Sequence, residues 1–252
     1  MHTKESLMQD LADIGICPTD TLLVHSSMKS IGQVDDGANA VLDAFSEYLS
    51  QGLLVMPAHT WSYINANHPI FDVRESESCV GLLSELFRKR PNVIRTLHPT
   101  HSLSAFGKDA ATFTFGQEKF DTPCAPQSCY GKLEQRDAKV LMVGVDFSRN
   151  TLVHCVEEVA QVSGRMTDSH EQLFVRDLNG NLISVPSRRH NHANSDTYVK
   201  LEPVMFQRNV LHKVKFGDAN CLTFRAKDLF SVTLELLREN PRLFDDFNPI
   251  AQ

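Results

Sequence analysis

The sequence predicts an α/β fold: a single domain with a mixed central sheet flanked by helices. Over the first two-thirds, short apolar runs that end in polar loops alternate with stretches whose apolar residues recur at helical spacing. In the last third, two β-rich runs flank Asn179-Gly180, a strong hairpin signal. We therefore expect antiparallel strands from the C-terminal third to join the sheet, in one domain over residues 1–252 that leaves room for two lobes.

The first half of the chain is predicted to alternate helix and strand. Each helix is read from apolar spacing and from a glycine or proline at its end, and each strand from a short apolar run. The predicted elements are a helix through Leu7, Leu11 and Ile14, a strand over 21–25, a helix over about 36–50, a strand over 53–57, and a helix from a Ser78 cap to the basic turn before Pro91.

The second half begins with a buried strand over 138–145 and a polar turn, after which a helix opens at Thr151. The hairpin signal comes next, with strands over 173–177 and 182–185. A last strand over 221–224 leads into a helix over 226–239, which ends before Pro241. No repeat or Gly/Ser linker divides the chain.

The composition is that of an ordinary globular protein, with 42% hydrophobic and 22% charged residues among 252. A net charge of -6 argues against nucleic acid and favours a cationic or neutral partner. Six cysteines without a Cys-x-x-Cys spacing favour a reducing compartment. No apolar run approaches the ~20 residues that span a bilayer. We expect a cytoplasmic monomer or homodimer that binds neither nucleic acid nor membrane.

His154 and Glu157 are the strongest candidates for chemistry. If Thr151 caps the helix, His154 lies in its first turn and Glu157 on the same face. The helix N-terminus disfavours an imidazolium, whereas a nearby carboxylate favours and orients it. A neutral, oriented imidazole is what a general base near neutral pH requires. The alternative is an ion pair that only stabilises a helix surface, which is common for isolated pairs at this spacing.

Two loops are further candidates for a ligand site. Hydroxyls and backbone N–H groups between Ser26 and Gly32 precede a helix and can cradle an extended polar ligand, although no phosphate-loop or dinucleotide motif is present. Residues 95–102 crowd two histidines and a proline into a loop. Zinc bound by His98, His101, His154 and Glu157 is the competing interpretation. We expect no metal, because no His-Glu-x-x-His helix or Cys/Asp cluster supports such a site.

Cys155 follows His154 and could be taken for a thiol nucleophile. Adjacent helical residues point about 100° apart, so the imidazole is poorly placed to activate the thiol. We expect Cys155 to pack in the core.

A series of short motifs runs in one order along the chain. They are Val24–Ser27 with Gly32, Val55–Thr60, Arg95 and His98–Ser102 with Gly107, Asp121–Pro123, Ser128 with Gly131–Leu133, Gly144, Thr151 with His154–Glu157, and the distal Arg188–His190 and Leu201-Glu202. Several motifs in one order are far more specific than any one of them, and together they resemble the aminoglycoside 3-N-acetyltransferase family over nearly the whole chain. One departure is Cys129, where the family often has proline after the serine, and it bears on the rigidity of that loop.

The resemblance implies transfer of acetyl from acetyl-CoA to an amine, by direct attack in a ternary complex without a covalent acetyl-enzyme. It implies that His154 is the base, that Glu157 is its partner, and that Thr60 hydrogen-bonds the thioester oxygen. Acetyl-CoA would lie along His25, Ser26, Ser27, Lys29, Ser30, Ile31 and Gly32, and along His98, Thr100, His101 and Ser102.

The acceptor implied by the family is a cationic aminoglycoside, and antibiotic resistance is the associated role. Such a molecule would meet Trp61 and Tyr63, together with Asp72 and Glu75 in the loop that follows. The sequence leaves three alternatives open: acetylation of another small amine, a zinc-dependent amide hydrolase, and a module that binds a ligand without turning it over.

Overall fold

The computed structural model describes residues 1–191 and 195–250. Ten strands form a seven-stranded mixed sheet and a separate three-stranded sheet, with helices on both faces of the larger one. The predicted fold class is confirmed. The helices are α1 (Lys4–Asp13), α2 (Gly37–Tyr48), α3 (Leu82–Phe87), α4 (Ala110–Thr114), α5 (Cys129–Gln135), α6 (Leu152–Val159), α7 (Leu201–Gln207) and α8 (Ala226–Glu239).

The larger sheet has three parallel strands at its centre and antiparallel strands on both sides. β1 pairs in parallel with β2 and β6, whereas β5 runs antiparallel to β2 and β10 antiparallel to β6. The carboxyl ends of the three parallel strands therefore meet at one edge. In spatial order the strands are β4 (Ile94–Arg95), β5 (Leu103–Gly107), β2 (Leu53–Pro57), β1 (Thr21–Ser26), β6 (Lys139–Val143), β10 (Ala219–Arg225) and β9 (Leu211–Phe216).

Two apolar clusters form the core, one on each face of this sheet. Along β1 the side chains alternate, with Leu23 in one cluster and Leu22 and Val24 in the other. The first cluster contains residues of α5, α6 and α8, and the second contains residues of α1, α2 and α3. Because both faces are covered, the central strands are continuous apolar runs, as parallel strands require.

The predicted hairpin forms, but it does not extend the larger sheet. β7 (Phe174–Arg176) and β8 (Leu182–Ser184) pair antiparallel around Asn179-Gly180, and β7 pairs in parallel with β3 (Ile70–Asp72). A small apolar cluster that includes Phe71 and Val175 packs beneath this sheet. Of the C-terminal strands, only β9 and β10 join the main sheet.

Several local predictions were wrong. β4 and β5 lie at the two ends of the predicted loop over 95–102 and were not predicted, so antiparallel strands come from the middle of the chain as well as from its end. Helix α3 begins at Leu82 rather than beside Ser78, since Gly81 precedes it with a φ of 116° that interrupts the helix. Thr151 makes no capping bond; Asn150 Oδ1 instead accepts from the Leu152 N–H at 3.2 Å.

The loop around Cys129 is well supported despite its missing proline. Ser128 Oγ accepts from the Gly131 N–H at 3.4 Å, and Cys129 begins α5 with its N–H donated to Gln117. Within the described residues, no helix is long and apolar enough to cross a membrane.

Candidate active site

A cavity of about 550 Å³ opens at the edge where the central parallel strands end. Its walls come from the ends of β1 and β2, the turn after β6 and the start of α6, as expected for an open α/β sheet. Histidines from different parts of the chain face it. The lining residues that matter most below are His25, Ser26, His59, Trp61, His101, Ser148, Arg149, Asn150, Thr151, His154, Arg189 and His190.

His154 lies in this cavity with one ring nitrogen held from behind. Tyr198 Oη lies 2.7 Å from His154 Nδ1 and donates to Glu157 Oε2 at 2.6 Å. Nδ1 also lies 3.3 Å from the same carboxylate oxygen. Since the single hydroxyl proton goes to the carboxylate, the proton between ring and hydroxyl belongs to Nδ1. Nε2 then carries a lone pair and is the nitrogen available to a substrate.

Glu157 is fully buried, with 1% of its surface exposed. Burial alone would raise its pKa, but the hydrogen bonds from His154 and Tyr198 and the charge of Arg165 lower it overall. Arg165 Nε lies 2.9 Å from the second carboxylate oxygen. Glu157 is therefore ionised at neutral pH and ready to stabilise a positive charge on His154.

A cluster of imidazoles lies beside the His154 ring, and one of them stacks on it. The His190 ring lies parallel to it, 4.0 Å away at an interplanar angle of 14°. His101 lies 5.6 Å from His190, and His59 lies 4.7 Å from His101. Burial, together with the charges of neighbouring histidines, places the pKa values of His59, His101 and His190 well below the usual range. These three rings are neutral at physiological pH.

His190 belongs to the one group of described residues with a spacing that a metal ion would accept. Its ring, the Cys124 thiol and the Glu158 carboxylate offer ligand atoms within 4.8 Å of one another. Glu158 already accepts from the Cys124 N–H at 2.9 Å and pairs with His190 Nε2 at 3.0 Å. Burial also raises the pKa of the Cys124 thiol well above its usual value. Hydrogen bonds thus account for this cluster without an ion.

The zinc set considered from the sequence does not assemble among the described residues. His98 Nδ1 accepts from the backbone N–H groups of Thr100 and His101, at 3.2 and 3.0 Å. His154 and Glu157 are engaged with Tyr198 instead. Cys155 is fully buried in the core, as predicted, and burial raises its pKa.

Only part of the predicted cofactor segment in β1 and the following loop reaches the cavity. His25 and Ser26 line it. Ser30 lines an adjoining cavity of about 430 Å³, which shares Val145 with the first. Ile31 is buried in the core. Ser27, Lys29 and Gly32 line neither cavity, and Gly32 takes a φ of 86° beside Asp218.

The predicted loop of histidines and hydroxyls is mostly buried scaffold. Ser102 Oγ donates to the Ala58 carbonyl at 2.6 Å, and the Thr100 hydroxyl lies 2.9 Å from His101 Nδ1. His98 and Ser102 are fully buried, and Thr100 is 1% exposed. Of the four predicted contacts in this loop, His101 alone lines the cavity.

Of the residues predicted to contact the thioester and the acceptor, only some line the cavity. Trp61 lines the cavity and is 47% exposed. Thr60 is fully buried, and its hydroxyl donates to the Pro99 carbonyl at 2.5 Å. Tyr63 donates to the Glu77 carbonyl at 2.5 Å and does not line the cavity.

Asp72 and Glu75 also lie outside the lining. Asp72 accepts from the Arg74 and Glu75 N–H groups and pairs with Arg176 at 3.4 Å, whereas Glu75 is exposed. Among the described residues, the lining itself contains two arginines and no carboxylate. Any carboxylate that meets a cationic acceptor therefore lies beyond it.

Sequence reasoning missed several residues that contact the candidate base or its neighbours. Glu158 was overlooked although it lies four residues after His154 on the same helix. His190 was noted only as part of a distal segment. No sequence signal pointed to Tyr198 or Arg165, since their contacts with α6 exist only in the folded chain.

A family comparison identifies the family to which the chain belongs. The model of the family described as aminoglycoside 3-N-acetyltransferase matches residues 23–238. The chain belongs to the aminoglycoside 3-N-acetyltransferase family. The resemblance expected from the motifs is confirmed, and the match takes in all three central parallel strands, apart from the first two residues of β1, and the whole of α6.

Individual members of the aminoglycoside 3-N-acetyltransferase family are distant in sequence. The SPbeta prophage-derived aminoglycoside N(3')-acetyltransferase-like protein YokD of Bacillus subtilis (strain 168) is 32% identical over 177 residues, which are 62% of this chain and 65% of that protein. The chain thus spans just under two-thirds of the length of this relative.

Superpositions on solved structures of the family cover a larger share of each chain than the sequence alignment with YokD does. A histidine-to-alanine mutant of aminoglycoside acetyltransferase AAC(3)-IVa in complex with a gentamicin has a TM-score of 0.83 at 26% identity, covering 96% of this chain and 91% of that one. AAC-IIIb in a binary complex with CoASH also has a TM-score of 0.83, at 21% identity, covering 94% and 96%.

Proposed function

We propose that the protein is an acetyl-CoA-dependent aminoglycoside 3-N-acetyltransferase in which His154 acts as the general base. One observation carries the proposal: Tyr198 and Glu157 occupy Nδ1 of His154, so Nε2 holds its lone pair in the cavity. The family match and the gentamicin complex of a structural neighbour support the acceptor class.

The acceptor is mostly ammonium at neutral pH, and only the fraction that has lost one proton to solvent can attack a thioester. As the neutral amine nitrogen attacks the acetyl carbonyl carbon, Nε2 of His154 removes the second proton. The tetrahedral adduct then collapses to the amide, the carbon–sulfur bond breaks, and the imidazolium returns its proton to the departing CoA sulfur. A positioned base of this kind contributes ~10²–10⁴-fold to the rate. Glu157, ionised and buried beside Nδ1, stabilises the imidazolium that forms.

Direct attack in a ternary complex is consistent with the position of the thiol that follows the base in sequence. Cys155 follows the base in sequence, yet it is fully buried and burial raises its pKa. It is neither ionised nor able to reach the cavity, so it cannot carry the acetyl group.

Acetyl-CoA would lie against the wall formed by Ser26 and the start of α6. The hydroxyl residues Ser26, Ser148 and Thr151 line this wall, and Arg149 in the lining adds a positive charge for an anionic cofactor. The adjoining cavity at Ser30 extends this wall along the rest of the predicted segment from His25 to Gly32. A structure with the same fold holds CoASH.

Residues in the loop after β4 would act mainly as support for the cofactor. His101 faces the cavity, whereas His98, Thr100 and Ser102 hold the loop in place behind it. Thr60 would have to turn its hydroxyl away from the Pro99 carbonyl before it could donate to the thioester oxygen.

The acceptor would enter beside Trp61, with Tyr63, Asp72 and Glu75 toward the small sheet. Since the described lining contains no carboxylate, the charges that meet the non-reacting amines are expected beyond it, and Glu75 is exposed on that side. The six thiols are all free, which suits a reducing cytoplasm. We infer one acetyltransferase domain acting as a monomer or homodimer.

An acceptor screen tests this function. Purified protein is incubated with acetyl-CoA and aminoglycosides or simpler amines, and release of free thiol is followed. We expect turnover with an aminoglycoside and a fall of at least ~10²-fold in kcat for His154→Ala, with acetyl-CoA binding retained. Turnover only with simple amines would change the acceptor class. Equal turnover by His154→Ala and the parent would remove His154 as the base.

A further inference from the structure

We propose that His190 is a positioning residue for the acetyl transfer: held by Glu158, its ring lies flat against His154 and fixes the plane of the base. This inference rests on the proposed role of His154. It adds a second histidine–glutamate pair to the site, one that acts through the first rather than on the substrate.

The hydrogen bonds of His154 do not by themselves fix its ring. Both Tyr198 and Glu157 engage Nδ1, on one side of the imidazole. The imidazole turns about its Cβ–Cγ bond, and contacts at Nδ1 alone leave small rotations about that bond, which displace Nε2 in the cavity. The His190 face, parallel at 14° and 4.0 Å away, blocks this motion on one side.

His190 is itself firmly held. Its Nε2 lies 3.0 Å from Glu158 Oε1, and both side chains are only 7% exposed. The same carboxylate oxygen accepts from the Cys124 N–H at 2.9 Å, which ties it to the neighbouring loop. The stacking ring is therefore fixed to the scaffold rather than resting on the base alone.

One helix carries the base and both carboxylates. His154, Glu157 and Glu158 are at positions i, i+3 and i+4 of α6. Glu157 orients the base from its edge, whereas Glu158 holds the ring that covers its face. The relative positions of the base and the two carboxylates are therefore set within α6.

The charge state of His190 suits this role. The titratable groups around it are Cys124, His101 of the loop after β4, and His154, Glu157 and Glu158 of α6. Burial is the main reason that the pKa of His190 is far below its usual value. A neutral ring can lie against the imidazolium formed during the reaction, whereas a second cation at 4.0 Å would oppose proton transfer.

Three variants test the proposal, with steady-state kinetics for acetyl-CoA and an acceptor found in the screen. We expect His190→Ala to lower kcat by roughly 10-fold or more with KM for acetyl-CoA within about 3-fold, because misplacing a reacting group costs rate rather than cofactor affinity. His190→Phe keeps a flat ring but loses the hydrogen bond to Glu158, and Glu158→Leu keeps the imidazole but removes the same bond while filling similar volume. The kcat of both variants should therefore lie between that of His190→Ala and that of the parent.

The matched control is His212→Ala, at an exposed histidine of β9 remote from the cavity, which should leave kcat unchanged. Parent-like kcat in His190→Ala would overturn the proposal. So would a His190→Phe variant as slow as His190→Ala, because the imidazole itself, not its face, would then be required.

Two further outcomes remain informative. If His190→Ala does not fold, as judged by circular dichroism, His190→Phe and Glu158→Leu decide: a Phe variant whose kcat is lower by roughly 10-fold or more, or parent-like turnover in the Leu variant, would contradict the proposal. If the unmodified protein releases no thiol with any amine, the proposed function fails. If it turns over and His154→Ala does not, yet His190→Ala matches the parent, only the present inference fails.

Discussion

Tyr198 contacts both the candidate base, His154, and the buried carboxylate of Glu157. Its hydroxyl bridges the base and the buried carboxylate, at 2.7 and 2.6 Å, whereas the direct contact between His154 and Glu157 is longer, at 3.3 Å. Orientation of the imidazole therefore passes largely through the tyrosine. Burial and the Glu157 charge raise the pKa of Tyr198 well above its usual value, so it stays protonated.

Replacement of Tyr198 with phenylalanine tests this bridge. We expect Tyr198→Phe to lower kcat by roughly 10-fold, because Nδ1 loses its shorter contact and the ring is less well placed. The measurement is kcat with saturating acetyl-CoA. Tyr48→Phe is the control, since Tyr48 donates a comparable hydrogen bond to the Ile16 carbonyl away from the site. A Tyr198→Phe enzyme as active as the control would show that Glu157 orients His154 directly.

At the scale of single residues, the sequence predicted the pair of site residues that lie on one helix, but not the residues that contact this pair from other parts of the chain. His154 and Glu157 were found because three residues of helix place them on one face. Tyr198 and His190 were not, because the chain reaches them 44 and 36 residues after the base. Their contacts follow from packing rather than from spacing.

At the scale of elements, the turn after β6 connects the sheet to the helix that holds His154. Gly144 ends that strand with a φ of 63°, and a Cβ added there would lie 2.1 Å from Ser30 Oγ and 2.2 Å from Ser30 Cβ. The turn thus needs glycine both for its backbone conformation and for the approach of the loop after β1. This close approach places the predicted cofactor segment, at Ser30, against the turn that leads from β6 to α6.

Gly144→Ala should therefore destabilise the fold more than a strained backbone alone would. We expect about 1–2 kcal/mol from the left-handed conformation, and further loss from the contact with Ser30. Urea unfolding measures the change. Gly180→Ala separates the two effects, because Gly180 has a φ of 84° with nothing within 4 Å of an added Cβ. Equal losses in both variants would contradict the steric part of this prediction.

The elements that were predicted correctly are those with strong internal patterns. α2, α8 and the hairpin formed close to their expected bounds, since each has regular apolar spacing or a turn that few other structures accept. β4 has two residues and β5 five, so they are stable only through their neighbours in the sheet. Such strands leave little trace in a single sequence.

The fold of the whole molecule keeps five histidines neutral, and two of them illustrate the effect on stability. Burial lowers the pKa of His25 to about 4 and that of His98 to about 3. The unfolded chain titrates near ~6.5. As the pH falls below that value, the unfolded state takes up protons that the folded state cannot, so stability falls with pH.

His98→Asn tests this dependence at a site removed from the chemistry. Asparagine can still accept from the backbone N–H groups of Thr100 and His101 but does not titrate. Between pH 7 and pH 5 the parent should lose about 2 kcal/mol of unfolding free energy that the variant retains. Urea unfolding at both pH values provides the comparison, with His68→Asn, at an exposed position, as control. The same pH slope in all three proteins would show that His98 does not contribute.

The sequence by itself determined the α/β class, the family, and the helix that holds His154 and Glu157, because each depends on local periodicity or on motifs in a fixed order. The tertiary structure alone decided which distant side chains surround the base. Tyr198, His190 and Arg165 reach α6 only when the sheet and its helices pack. In the folded chain, the hydroxyls of Thr60 and Ser102, which were expected to contact ligand, instead donate hydrogen bonds to backbone carbonyls. A polar side chain next to a site binds either ligand or protein, and the surrounding backbone settles which.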